Sequence, residues 1–184
     1  MRVSPEHERR LWLLALALLV AIYSTLYVAR PITEYLRERN LLRLSVGIVF
    51  ALLGVAVISW GRRRRFGRRS WSVLALGTAA LVWAASRVSP VEVKLHFVEY
   101  GLVGGVLYLA LCARGTRWAA PWAVLLTAGA GWLDEGIQYL LPNRYYDIED
   151  VVVNAVAGAL AVVTLVLLGR AERRDAAATP AGPA

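Results

Sequence analysis

Cysteine is almost absent from this chain, and charge is scarce. The one cysteine, Cys112, lies in an apolar run, which excludes an intrachain disulfide and a cysteine-rich metal site. Only 18% of the residues are charged, against roughly a quarter in soluble globular proteins. Two-residue alternation punctuated by turn residues is also missing, which argues against a transmembrane β-barrel. Nor is there room for a separate soluble domain. The 184 residues make one domain's worth of chain, and six membrane spans of about 20 residues each would consume most of it.

What is present is apolar. Hydrophobic residues make up 58% of the chain and the mean hydropathy is +0.52. They gather in runs at 11–29, 41–60, 71–86, 95–113, 119–141 and 151–168. The first run follows Arg9 and Arg10 and ends at Arg30-Pro31. It is long enough to span, and Tyr27 stands where cleavage after Ala29 would need a small residue, so it reads as a retained signal-anchor helix. The reading is therefore an all-α, polytopic transmembrane bundle of about six helices in the plasma membrane. Residues 1–89 would form helices one to three and 90–170 helices four to six with the polar site. The Ala/Pro-rich segment 171–184 would be a disordered cytoplasmic tail.

The formal charge is +8, and six arginines crowd the loop 62–69: Arg62, Arg63, Arg64, Arg65, Arg68 and Arg69. Such juxtamembrane clusters orient helices and touch anionic lipid headgroups. That placement favours lipid over nucleic acid as the partner. With the N-terminus inside, fourteen Lys and Arg fall on the inner side and seven on the outer. The bias supports an N-in, C-in topology.

The acidic residues are distributed unevenly. Of thirteen, seven lie between Glu92 and Asp150, at the ends of helices four, five and six that this topology places outside. An ionisable residue in a membrane segment is costly and defaults to a functional hypothesis. His96, Glu99 and Tyr100 share one helical face. Glu99 holding His96 as a buried structural pair is the plainer alternative. Asp134 and Gln138 are one turn apart, with Glu135 about 100° round the helix. Clustered carboxylates suit general acid–base work or a divalent cation with oxygen ligands, or they are an interfacial helix end reaching water. Asp147, Asp150, Asn154 and Gly158 form a stripe. One of the two aspartates can be a helix cap, which leaves Asn154 unexplained. Arg144 suits either phosphate or these carboxylates. Gly101 and Gly105 form a GxxxG, and Ala155 and Ala159 repeat small residues at the same spacing, a pattern that lets helices approach closely.

Three motifs in order, Lys94-x-His96-Phe97-x-Glu99-Tyr100, Asp134-Glu135-x-x-Gln138, and Pro142-x-Arg144-x-x-Asp147-x-x-Asp150-x-x-x-Asn154-x-x-x-Gly158, resemble the VanZ-like family. Its namesake is linked to teicoplanin resistance. The motifs cover roughly residues 90–168 and leave 1–86 without one. The resemblance implies chemistry on lipid headgroups or polyprenyl-linked cell-envelope intermediates, by phosphodiester cleavage or exchange.

Carried over, His96, Glu99, Asp134, Glu135 and Asp150 would be catalytic. Lys94, Tyr100, Gln138, Arg144, Asp147 and Asn154 would bind substrate, and a divalent cation, if used, would take Asp134, Asp147 and Asp150. The alternatives are a non-catalytic envelope protein that binds a glycopeptide, lipopeptide or cell-wall precursor and confers resistance, and, third, a small transporter. Clustering of the charges on one side weighs against the last.

Overall fold

The computed structural model describes residues 4–142 and 146–178. Among these the chain forms six α-helices and one 3-10 turn: α1 (Pro5–Glu38), α2 (Leu42–Arg63), α3 (Arg68–Ser86), the turn Val91–Val93, α4 (Lys94–Ala113), α5 (Ala119–Tyr139) and α6 (Ile148–Ala178). The all-helical reading and the six helices hold. By length and composition, four segments are apolar enough to cross a membrane on their own: α1, α2, the turn with α4, and α6. The other two, α3 and α5, have 19 and 21 residues, sufficient length for about 30 Å of hydrocarbon. Their windows are diluted by residues such as Arg68 and Arg69, or Asp134 and Glu135.

Two helices outrun their apolar runs. α1 passes through Pro31 to Glu38 instead of stopping at Arg30. An internal proline removes one backbone hydrogen bond. Flanking contacts offset that loss: Arg30 Nε donates to Glu34 Oε1 at 2.9 Å, and Arg37 pairs with Glu92. α6 continues to Ala178, so residues 171–178 are helical where a disordered tail was expected. Alanine, glutamate and arginine are good helix formers, and the extension is tied down. Glu172 pairs with Arg64 at 3.3 Å. Asp175 accepts from Ser70 N at 3.0 Å and from Ser70 Oγ at 2.7 Å. Those bonds satisfy donors that the first turn of α3 would otherwise leave open.

α4 is the central helix, packed against α6, α5 and α1, while α6 also carries α3. α2 sits at the edge and touches its neighbours least. The crossing of α4, α5 and α6 rests on missing side chains. A Cβ added at Gly104 would lie 2.8 Å from Gly158 Cα, and one at Gly158 would lie 2.5 Å from Thr127 Cγ2. A Cβ at Gly131 would lie 2.6 Å from Asn154 Cβ. The GxxxG glycines contribute less, since a Cβ at Gly101 would meet nothing nearer than 3.8 Å. α4 stops at Ala113, and Gly115 just beyond it has a φ of 79°, which suits glycine. There Thr116 N donates to Leu111 O at 3.0 Å, closing a helix-terminating turn.

Two outcomes follow. Gly104→Ala pushes backbone against backbone and should lower thermal stability in detergent by about 1–3 kcal/mol. Gly129→Ala, whose Cβ would meet nothing within 4 Å, should be neutral. At the other end, the Ser70 hydroxyl and amide hold the Asp175 carboxyl below the usual aspartate range, and Asp175 lies beyond the apolar part of α6. A lowered folded-state value stabilises above the ordinary range, and that contribution disappears as pH falls through the depressed value. Protection of the Ser70 amide from hydrogen exchange, taken relative to the intrinsic rate at each pH, should therefore fall only in acid for the wild type, and already at neutral pH in Asp175→Ala.

Candidate functional site

The polar residues meet at the end of the bundle formed by the start of α4, the end of α5 and the start of α6. Two adjoining cavities open there, of about 720 and 250 Å³. Arg30, Glu92, Val93, Gln138 and Asp150 line both. The larger adds Arg87, Glu135, Asp147 and Glu149. The smaller adds His96 and Glu99 from α4, with Ile22, Leu26 and Ala29 from α1 as an apolar wall.

His96 and Glu99 share a face because they are three residues apart on a helix. His96 Nδ1 faces Glu99 Oε2 at 3.7 Å, an ion-pair distance beyond the hydrogen-bond range. The imidazole lies nearly parallel to the Tyr100 ring, with centroids 6.1 Å apart. Tyr100 itself is fully buried, and its hydroxyl donates to Asp134 Oδ2 at 2.8 Å. Asp134 is 0% exposed, so it lies beneath the cavity floor. A carboxylate taken out of water is tolerable only with such donors.

Glu135 is also buried, at 1% exposed, and corrects the picture of a helix end reaching water. Its Oε1 accepts from Gln138 Nε2 at 2.8 Å and its Oε2 from the Asp147 amide at 3.0 Å. That second bond pins the end of α5 to the start of α6. Asp147 is the cap of α6: its Oδ1 accepts from Glu149 N at 2.8 Å. Asp150, one turn on, lines both cavities. Asn154 is fully buried against Gly131, and neither of its side-chain polar atoms has a hydrogen-bond partner among the described residues. Lys94 is half-buried and lines neither cavity. Arg144 lies outside the described residues.

The expected metal set does not assemble. Among the described residues no group of three His, Cys, Asp or Glu side chains is placed to hold a metal ion. Asp134 is engaged by Tyr100, Asp147 caps a helix and Asp150 stands on the wall. These residues do not fit the divalent cation that the spacing allowed.

Sequence reasoning missed the basic side of the site. Arg30 lines both cavities from α1, Arg87 joins it in the larger, and Arg37 reaches the smaller from the extension of α1 past Pro31. Arg30 was hidden because Arg30-Pro31 reads as the end of a span. The Arg30–Glu34 spacing, one helical turn, was the available signal that the helix continues.

Tyr100→Phe keeps the ring but removes the hydroxyl that donates to Asp134 Oδ2. It should cost about 1–3 kcal/mol of stability, measured by thermal unfolding in detergent. Equal stability of wild type and variant would mean that Asp134 is held by other groups.

Comparison with known proteins bears on this site as follows. No curated protein and no solved structure matches the chain. The VanZ/LLP1 family model matches residues 11–169, taking in helices α1 to α3 as well as the three that carry the motifs. The chain belongs to the VanZ/LLP1 family.

Proposed function

We propose that this protein acts on the headgroup of a membrane lipid or a polyprenyl-linked envelope intermediate, cleaving or exchanging a phosphodiester. It would do so as a six-pass plasma-membrane protein with both termini inside and the cavities at the outer face, as the arginine bias supports. One observation carries the reading. The smaller cavity is polar at His96, Glu99, Gln138 and Asp150 and apolar along Ile22, Leu26 and Ala29 of α1. A cavity with one wet wall and one greasy wall suits a molecule with a polar head and a hydrocarbon tail. The walls carry both signs, with Arg30 and Arg37 lining the cavity alongside Glu34, Glu92, Glu99 and Asp150. That mixture suits a headgroup that combines a phosphate with an ammonium.

The chemistry assigned to these residues is general acid–base catalysis. His96 takes a proton from water or an acceptor hydroxyl, whose oxygen bonds to phosphorus as the bond to the leaving alcohol breaks. The proton then passes to that alcohol. Glu99, 3.7 Å from Nδ1, stabilises the imidazolium, and Arg30 neutralises the phosphate by charge-assisted hydrogen bonding. Asp134 and Glu135 act from below and beside, holding Tyr100 and the start of α6.

Mass spectrometry of phospholipids incubated with purified protein should show new headgroup species. His96→Ala should slow their appearance by at least about a hundredfold. Arg30→Gln should raise KM by roughly tenfold, the loss of one charged hydrogen bond. Unchanged turnover in His96→Ala contradicts the assignment.

A second reading, a non-catalytic envelope binder for a lipopeptide, glycopeptide or cell-wall precursor, draws on Asp134, Glu135 and Asp147 being occupied in structural hydrogen bonds. It predicts lipid or precursor binding with no new headgroup species, and affinity that survives His96→Ala.

A further inference from the structure

A separate groove lies between α2 on one side and α3, α4 and α6 on the other. It holds about 350 Å³. Its α4 wall runs from Phe97 to Leu109, about 18 Å of helix at 1.5 Å per residue. That is slightly more than half of a hydrocarbon core of about 30 Å, the depth of one leaflet. The lining is hydrocarbon nearly throughout, with Phe50, Val57 and Leu81 among its walls. The hydroxyl of Thr164, one of two threonines there, is already bonded to Leu160 O at 2.7 Å. Nothing in this groove asks for water or a polar ligand.

The end of the groove toward the 62–69 loop says what fills it. Trp60 lines it there, and tryptophan favours the level of lipid headgroups. The exposed arginines of the loop follow directly. Arg64 is paired with Glu172 and Arg69 donates to Arg174 O. Arg62, Arg63, Arg65 and Arg68 have no ion pair among the described residues. The apolar slot of leaflet depth runs toward a loop with four guanidinium groups that have no ion pair among the described residues. Three of them, Arg63, Arg65 and Arg68, line a cavity with Glu172 and Asp175. The combination is complementary to one kind of molecule.

We propose that the groove seats one acyl chain of an anionic phospholipid whose headgroup lies on Arg62, Arg63, Arg65 and Arg68. This site is independent of the cavities around His96. The lipid chain fills the gap that the loosely packed α2 leaves beside α4. Gly54 marks the place where the chain is displaced most easily, since a Cβ there would meet nothing within 4 Å.

The test uses the full chain in nanodiscs of phosphatidylcholine with a minority of phosphatidylglycerol that carries a photoactivatable acyl chain. Crosslinks in the wild type should concentrate on groove residues such as Phe50, Val57 and Leu102, and replacing the labelled lipid by labelled phosphatidylcholine should weaken them. Gly54→Leu displaces a few methylenes and should reduce groove crosslinking roughly tenfold. Substitution of the four arginines by glutamine should remove the preference for phosphatidylglycerol. Crosslinks spread evenly over the outer faces of α1 and α5, or equal groove labelling by both lipids in the wild type, would overturn the proposal. Because these two outcomes are read on the wild-type chain, the test stands even if a variant fails to fold.

Discussion

Gly104 and Gly158 meet where no side chain fits, and the rest of the structure is arranged around that contact. A Cβ on either glycine would press on its neighbour, at Gly158 Cα or at Thr127 Cγ2. Apolar burial gives little drive to association inside a bilayer, because lipid is as apolar as leucine. Close backbone approach and satisfied polar groups must hold the bundle instead. The crossing draws α4, α5 and α6 together, so the polar ends of all three arrive at the same place. From there the hydrogen bonds take over: Tyr100 to Asp134, Gln138 and the Asp147 amide to Glu135.

These bonds divide the acidic cluster into two kinds of residue. Glu135 accepts at both carboxylate oxygens, Asp134 at Oδ2 and Asp147 at Oδ1, and the three build the floor and the frame. Glu92, Glu99 and Asp150 face the cavities together with His96 and Arg30. Glu135 and Asp147 also reach the larger cavity. The division separates groups committed to the fold from His96 and Glu99, to which the proposed chemistry is assigned.

Much of the architecture was legible in the sequence because ionisable residues stand out inside apolar runs. His96, Glu99, Asp134 and Asp150 announce themselves in this way, and all of them belong to one end of the bundle. Their roles were less legible. Adjacent carboxylates at 134 and 135 have the same spacing whether they face a cavity or a neighbour's donors. The described residues include no group of three carboxylates placed to hold a metal ion, which spacing alone could not show. Arg30 escaped notice because a proline follows it, and proline ordinarily stops a helix. The glycine that matters, Gly104, lay beside the GxxxG pair that pattern recognition picks out. The alanine-rich segment after Arg170 lacks an apolar face, so nothing in its composition disclosed that Glu172 and Asp175 dock onto the arginine loop.

In the proposed topology the His96 cavities open at the outer face of the membrane and the arginine loop lies inside. Single-cysteine labelling tests it most directly. With Cys112 replaced by serine, Glu149→Cys reports the cavity rim and Arg63→Cys the loop, both positions being exposed. A membrane-impermeant maleimide should label position 149 in intact cells and position 63 only after permeabilisation. The opposite pattern would contradict the topology.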